Sequence, residues 1–159
     1  MANNFSNARN TIREDLCNTI CGKEFFEFIC GDLLGIGQHR AVFVYTPDPS
    51  CVIKFQRQIG PQNWLEWQLF HDLFEHANQL LLAPCLRISE NGIWLVQRRT
   101  QPVPKNFQWP KKIPEFITDT KRPNFGIYKK RLVCHDYANN LCENYARTVK
   151  MKKVEWRDE

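Results

Sequence analysis

The sequence contains no apolar run long enough to cross a membrane, and its first residues lack the hydrophobic stretch of a signal peptide. We therefore expect a cytoplasmic protein with no membrane partner. A disordered chain is excluded as well, because 43% of the residues are hydrophobic and 13% are aromatic, which is enough to build a core. A chain of 159 residues suits one domain or two small lobes.

The cysteines lack any pattern that indicates a disulfide framework or a metal site. Their number is odd, seven, no two of them form a C-x-x-C pair, and no histidine completes a ligand pattern with them. Buried free thiols in a reducing compartment are the better interpretation. The sequence therefore argues against zinc.

Apolar periodicity predicts an α+β fold whose first hundred residues run strand, strand, strand, helix, strand, strand. The three antiparallel strands are expected between Phe26 and Phe55, the helix over Pro61–Leu82, and the last two strands as a hairpin around Asn91-Gly92. The alternation that begins the first strand involves Phe26, Phe28 and Cys30. A short amphipathic helix is expected before them, over Asn7–Ile20.

Beyond residue 100 the pattern changes. The stretch Thr100–Pro114 is rich in proline and basic residues, which predicts a connector that is not a regular element throughout. A second hairpin is expected over Phe125–His135, around Lys129-Lys130, and a helix from Asn139 to about Val154.

The net charge is +5, and the basic residues gather in four clusters. Such clusters are compatible with nucleic-acid binding. We favour instead solvated turns, a solvated helix end and contacts to a phosphate-rich ligand near Lys121. The clusters are Lys111-Lys112, Lys121-Arg122, Lys129-Lys130-Arg131 and Lys150 to Lys153.

Two glycines one residue apart, Gly35 and Gly37, lie between the first two predicted strands. Glycines at such a turn let backbone amides approach phosphate groups, because no Cβ intervenes. Arg40 follows them, and a guanidinium at this position can contact a phosphate directly.

Lys54 ends a Val-Ile-Lys run on the third predicted strand, where an inward-facing lysine is costly unless it is paired. Glu66 is the best partner, since it lies in the next predicted helix between Trp64 and Trp67. Glu75, further along that helix, is the alternative.

A third motif, Asp119-x-Lys121-x-x-Asn124, stands directly before the second predicted hairpin, and Asp136 stands directly after it. Alone, such a motif usually forms an Asx turn. Its continuation into a hairpin that ends in Asp-aromatic-small is a much rarer combination.

Taken in order, these motifs resemble the nucleotide site of the protein-kinase-like fold. The resemblance implies that the protein binds ATP through the glycine turn and the strand lysine, with a helix glutamate holding that lysine. The residues implied in this nucleotide contact are Gly35, Gly37, Arg40, Lys54 and Glu66. It also implies that Asp119 orients an acceptor hydroxyl, that Lys121 neutralises the transferred phosphoryl group, and that Asn124 and Asp136 bind Mg²⁺.

The resemblance covers roughly residues 28 to 138. It implies a helical extension over 1–24, a complete kinase-like N-lobe over 25–99, and a connector with a strongly reduced C-lobe over 100–159. The stretch from Gln38 to Pro47 also resembles the YrbL-type branch, so the nearest likeness is to small kinase-like proteins of bacteria and their phages.

The sequence departs from the family pattern in several places. Ile117-Thr118 replaces the family's His-Arg, and the metal-binding triplet reads Asp136-Tyr137-Ala138. There is no room for the long helix of the large lobe, no activation segment and no Ala-Pro-Glu motif.

Three functions stay open. The first, which we favour, is a minimal ATP-dependent phosphotransferase acting on a protein, itself included, or on a small-molecule hydroxyl. The second is a pseudokinase-like module that binds a partner protein without phosphoryl transfer. The third is a basic nucleic-acid-binding protein on an unrelated α+β fold.

Overall fold

The computed structural model describes residues 20–58, 60–73, 81–138 and 150–158. These residues form an α+β fold that divides into two compact units. The first unit contains the described residues up to Asn63 together with Leu86–Arg98, and the second contains Trp64–Cys85 and those from Arg99 onward. Neither of the two α-helices in the described residues is long and apolar enough to span a bilayer.

The first unit is built on a five-stranded antiparallel sheet with the strand order β1-β2-β3-β5-β4, which confirms the five predicted strands. Helix α1 (Ile20–Ile29) leads directly into the sheet. The strands are β1 (Cys30–Ile36), β2 (Arg40–Tyr45), β3 (Cys51–Gln56), β4 (Cys85–Ile88) and β5 (Trp94–Arg98). All six residues of the central strand β3 are buried, as its nearly continuous apolar sequence leads one to expect.

The core of the first unit is aromatic. Phe26 of α1 packs against Phe43 of β2 and Phe55 of β3, with ring centroids 5.3 and 5.7 Å away. Ile29, one turn after Phe26, is also buried in this cluster. Helix α1 thus covers the sheet through residues spaced three apart.

The prediction that the first strand begins at Phe26 was wrong, because Phe26 and Phe28 lie in α1 and the strand begins at Cys30. Phe26 is fully buried whereas Phe28 is 69% exposed, so the two residues lie on different faces of a helix. Three alternating apolar residues fit either period, and the burial of Phe26 with Ile29 decides for the helix.

The turn between β2 and β3 is closed by Asp48. Its carboxylate accepts hydrogen bonds from the Ser50 hydroxyl, the Ser50 backbone N–H and the Cys51 thiol, and it forms an ion pair with Arg98 at 3.1 Å. These hydrogen bonds, with a smaller contribution from Arg98, lower the pKa of Asp48 from 3.8 to about 2. The carboxylate therefore stays ionised and fixes the start of β3.

Helix α2 (Gln62–Asp72) begins with a buried asparagine. The Asn63 side-chain amide donates to the carbonyl oxygens of Lys54, Gly92 and Ile93 at 3.3, 2.9 and 3.1 Å. This amide links the first turn of the helix to β3 and to the β4–β5 turn. The described helix ends at Asp72, and the rest of the predicted range to Leu82, including Glu75, lies largely outside the described residues.

The second unit contains two short antiparallel ribbons. One pairs β6 (Lys112–Pro114) with β9 (Met151–Lys153), and the other pairs β7 (Phe125–Tyr128) with β8 (Arg131–Cys134). The second ribbon is the predicted hairpin, and its turn residues Lys129 and Lys130 are both left-handed, with φ of 47° and 65°. Aromatic rings of Trp109, Phe125 and Trp156 pack together beside the ribbons.

The predicted C-terminal helix was wrong for residues 151–153, which form β9. These residues pair with β6, and that pairing supplies the backbone partners that a helix would otherwise provide. Residues 139–149 of that prediction, and the predicted helix over Asn7–Ile20 except its last residue, lie outside the described residues. Four cysteines, Cys30, Cys51, Cys85 and Cys134, are buried free thiols, as expected for these residues.

We predict that Gly126→Ala destabilises the protein by about 1–3 kcal/mol, because a methyl group inserted into a packed site forces neighbouring atoms to shift. A Cβ at Gly126 would overlap the Thr100 side chain and lie 3.0 Å from the carbonyl oxygen of Gln101. Gly35→Ala is the control, since nothing lies within 4 Å of its added Cβ. Thermal unfolding measures both, and equal melting temperatures would contradict the close packing at Gly126.

Candidate functional site

The predicted lysine occupies the middle of the first unit's sheet. Lys54 is only 3% exposed, and it lies opposite Val42 of β2 on one side and Leu95 of β5 on the other. Val42 in turn lies opposite Gly35 of β1, just after a β-bulge. Gly35, Val42, Lys54 and Leu95 therefore form one row of paired residues across four strands. Lys54 lies two strands away from Gly35 in this row, a distance of about 10 Å.

The glycine turn is a short connection between β1 and β2. The Gly37 N–H donates to the carbonyl oxygen of Arg40 at 2.8 Å, and the Arg57 guanidinium donates to the carbonyl oxygen of Gly37 at 3.1 Å. Gly37 is exposed, whereas Arg40 is 8% exposed and lies opposite Gln56. The structure thus brings Gly35, Gly37, Arg40 and Lys54 onto one sheet, with Gly37 at its surface.

In the second unit, the predicted helix glutamate, Glu66, accepts a hydrogen bond from the backbone directly after Asp136. Glu66 is fully buried, and its Oε1 accepts a hydrogen bond from the Tyr137 N–H at 3.0 Å. The Tyr137 hydroxyl donates to the carbonyl oxygen of Ala83 at 2.8 Å and lies 2.9 Å from the Cys85 sulfur. Helix α2 and the chain at residues 136–137 are therefore joined through buried polar contacts.

The backbones of the two predicted metal ligands, Asn124 and Asp136, are hydrogen-bonded at the open end of the β7–β8 hairpin. The backbone carbonyl of Asn124 accepts hydrogen bonds from the N–H groups of His135 at 2.8 Å and Asp136 at 3.4 Å. A short 3-10 turn, Arg122–Asn124, with Pro123 inside it, places Asn124 at the start of β7. The β7–β8 hairpin thus accounts for the sequence spacing between Asn124 and Asp136.

His135 supports this turn, a role that the sequence did not indicate. Its Nδ1 lies 2.8 Å from the Thr100 hydroxyl, and its Nε2 lies 3.0 Å from the carbonyl oxygen of Pro123. Because a carbonyl only accepts, Nε2 carries a proton and donates it to Pro123, and the Thr100 hydroxyl pairs with Nδ1. The ring holds the 3-10 turn against the strand segment after β5.

Asp119 is tied to the C-terminal segment. Its Oδ1 forms an ion pair with Nη2 of Arg157 at 3.0 Å and is 3.4 Å from the backbone N–H of Lys121. Asp119 is 24% exposed and Arg157 is 55% exposed. Lys121 is also exposed. Arg157 follows Asp119 by 38 residues and lies near the end of the chain, so no local spacing could have indicated this pair.

The donor set at the hairpin end fits a magnesium ion. Mg²⁺ takes oxygen ligands and is commonly held by one or two carboxylates together with substrate phosphates. Asp136 offers a carboxylate and Asn124 an amide oxygen, and the backbone bonds between them keep the two residues adjacent. Among the described residues, no group of three or more His, Cys, Asp or Glu side chains is arranged to hold a metal by itself.

The predicted site residues thus fall into two groups. Gly35, Gly37, Arg40 and Lys54 belong to the first unit, and Glu66 and the motif residues from Asp119 to Asp136 belong to the second. The pairing of Lys54 with Glu66 spans this division and stays a prediction.

Comparison with protein-family models finds no family that matches this chain, and comparison with curated proteins finds no matching relative. The case for a function therefore rests on the chemistry of the residues and on the order in which the chain presents them.

We predict that Glu66→Ala destabilises the protein more than Glu66→Gln. Alanine leaves the buried Tyr137 N–H without its acceptor, at a cost of about 1–3 kcal/mol, whereas a glutamine carbonyl can still accept that bond. Chemical denaturation of the two variants and the parent measures the difference. Equal stability of both variants would show that this hydrogen bond does not fix the helix.

Proposed function

We propose that the protein is a minimal kinase-like, ATP-dependent phosphotransferase that acts on a hydroxyl group of a protein, itself included, or of a small molecule. The observation that carries the proposal is the meeting of Asn124 and Asp136 at the hairpin end, with Glu66 bound to the next residue, Tyr137. Phosphoryl transfer requires metal ligands held together and a fixed carboxylate near them.

The first unit supports the same proposal. Its strands come before and after helix α2 in the chain, three and then two, and a buried lysine on β3 shares a row with the glycine turn on β1. A kinase-like N-lobe has this arrangement, and a strongly reduced C-lobe would correspond to the ribbons of the second unit. Lys54 is a cation at the position where the family's lysine holds the α- and β-phosphates, and it is buried in the middle of the sheet.

In this mechanism Gly35 and Gly37 let the backbone approach the phosphates, Lys54 holds them, and Glu66 orients Lys54. Bound Mg²⁺ supplies neutralisation of the phosphate charge. Asn124 and Asp136 would hold that ion through their side-chain oxygens. In the same site, Asp119 accepts the hydrogen bond of the acceptor hydroxyl, and Lys121 neutralises the phosphoryl group as it transfers.

We predict that Mg-ATP raises the melting temperature and that two isosteric variants separate binding from chemistry. A ligand at a hundred times its dissociation constant stabilises by about 2.7 kcal/mol, which is several degrees at roughly 2–4 °C per kcal/mol. Asp136→Asn removes a charge from the metal site and should abolish both the shift and transfer. Asp119→Asn keeps the metal ligands, so it should keep the shift and slow transfer by about 10²–10⁴-fold.

The measurement is thermal unfolding with and without Mg²⁺ and nucleotide, followed by incubation with labelled ATP to detect ADP and label on the protein. If Asp119→Asn transfers phosphate at the parent rate, the proposed role of the Asp119 carboxylate is wrong. A thermal shift without any transfer, with candidate partner proteins present, would leave the pseudokinase-like interaction module as the function. No shift at millimolar nucleotide would oppose the nucleotide site itself.

A second candidate function, nucleic-acid binding, is favoured by the β6–β9 ribbon. Lys112 and Lys153 lie directly opposite each other across its two strands, and like charges at such positions repel. Neither lysine takes part in an ion pair with another described residue. Three more lysines, Lys111, Lys150 and Lys152, complete what we call the lysine ribbon. A two-stranded ribbon of this charge suits a phosphate backbone.

We predict, for this second candidate, that a labelled DNA duplex binds with an affinity that falls as salt rises. The double variant Lys112→Gln/Lys153→Gln should weaken binding and reduce the slope of log K against log salt by roughly 2, since each phosphate contact contributes about 0.9. Lys129→Asn/Lys130→Asn removes the same charge from the β7–β8 turn and serves as the matched control. Equal slopes for the two double variants would exclude the lysine ribbon as the contact.

A further inference from the structure

The end of the chain runs beside the segment that carries Asp119 and Lys121. The Thr120 hydroxyl donates to the carbonyl oxygen of Glu155 at 2.9 Å, and the Arg157 N–H donates to the carbonyl oxygen of Thr120 at 3.2 Å. The Arg122 N–H donates to the carbonyl oxygen of Arg157 at 2.7 Å. Residues 155–158, which we call the tail strand, therefore lie parallel to residues 120–122 and occupy the backbone edge of that segment.

The tail strand brings a cation to the predicted acceptor-binding carboxylate. Arg157 places its Nη2 3.0 Å from Oδ1 of Asp119. An acceptor hydroxyl would have to donate its hydrogen bond to this same carboxylate. A guanidinium at this distance competes for that position, because it already donates a hydrogen bond to Oδ1.

Two residues of the tail strand differ in how firmly they are held. The Trp156 indole N–H donates to the carbonyl oxygen of Pro110 at 2.9 Å, and its ring lies 4.6 Å from that of Trp109 and 4.9 Å from that of Phe125. Arg157 is 55% exposed, and exposed ion pairs contribute little free energy. The arginine can therefore leave Asp119 while Trp156 keeps the tail strand anchored.

We propose that Arg157 is an autoinhibitory latch on the acceptor side of the site, an inference that rests on the proposed phosphotransferase function. In the latched state the guanidinium covers Asp119, and an acceptor binds only after the guanidinium has moved away. The latch acts on acceptor access alone. Nucleotide and metal bind through other residues, Lys54, Asn124 and Asp136, so their affinity does not depend on it.

The test compares labelled-phosphate transfer by the parent, Arg157→Gln, Arg157→Lys and Asp158→Asn in Mg-ATP. Removing an exposed ion pair raises the fraction of molecules whose Asp119 is free for the acceptor about two- to sixfold. Arg157→Gln should therefore transfer phosphate that much faster than the parent at low salt. Arg157→Lys keeps the cation and should stay near the parent rate. Asp158→Asn removes the neighbouring ion pair with Arg122, at 2.8 Å, and is the matched control; it should transfer at the parent rate.

Salt provides a second measurement that a loss of folding would not imitate. Screening weakens an exposed ion pair, with a Debye length of about 10 Å at 0.1 M. The ratio of the Arg157→Gln rate to the parent rate should therefore fall towards one as salt rises. The thermal shift with Mg-ATP should be the same in all four proteins, and it also shows that each variant is folded.

The outcomes distinguish this inference from the function on which it rests. A parent that transfers phosphate, with Arg157→Gln equal or slower, overturns the latch and leaves the proposed function standing. If neither the parent nor Arg157→Gln binds Mg-ATP or transfers phosphate, the proposed function fails and the latch fails with it. Faster transfer by Arg157→Gln with an unchanged Mg-ATP shift supports both.

Discussion

A carboxyl group without access to water must find its hydrogen-bond partners inside the protein, and Glu66 is such a group. One of its oxygens accepts the Tyr137 N–H, across 71 residues of sequence. Tyr137 is itself fixed at its other end, where its hydroxyl meets Ala83 and Cys85. The position of Asp136 follows from this one requirement, because it is the residue directly before Tyr137.

In the second unit, short segments of chain hold Asp136 in position. Its ribbons have strands of three or four residues, too short to be stable alone. Side chains from distant parts of the chain hold them: His135 bridges Thr100 and Pro123, and Trp156 packs on Trp109. These contacts of high sequence separation therefore add to the buried apolar residues of the unit in holding the short ribbons in place.

Elements whose signals are local could be predicted from the sequence. The hairpins at Asn91-Gly92 and Lys129-Lys130 and the buried strand β3 all follow from turn chemistry and short apolar runs. Where alternative periods fit the same residues, prediction failed: Phe26 and Phe28 belong to a helix whose face is chosen by the tertiary contacts of Phe26. Residues 151–153 form a strand because β6 lies beside them, which no local pattern records.

For the candidate site the same division holds. The order and spacing of the charged residues predicted which side chains to consider, and the structure places Asn124 beside Asp136 as a hairpin of that length requires. The contacts made by His135 and Arg157 could not be predicted, because each joins segments that are distant in sequence. Contacts of this kind depend on the tertiary structure, because only folding brings the two segments together.

The register of the β7–β8 hairpin has a consequence for how this sequence can vary. Phe125 lies opposite Cys134 and Tyr128 opposite Arg131, so the two strands are equal in length and the turn has two residues. A single inserted or deleted residue within either strand would shift the pairing by one and turn the following side chains to the opposite face. Asp136 would then no longer stand beside Asn124. Changes in the length of this segment should therefore be accommodated at the turn, or occur as matched changes in both strands, whereas substitutions at the exposed turn residues should favour side chains that tolerate a positive φ, such as Asn, Asp and Gly.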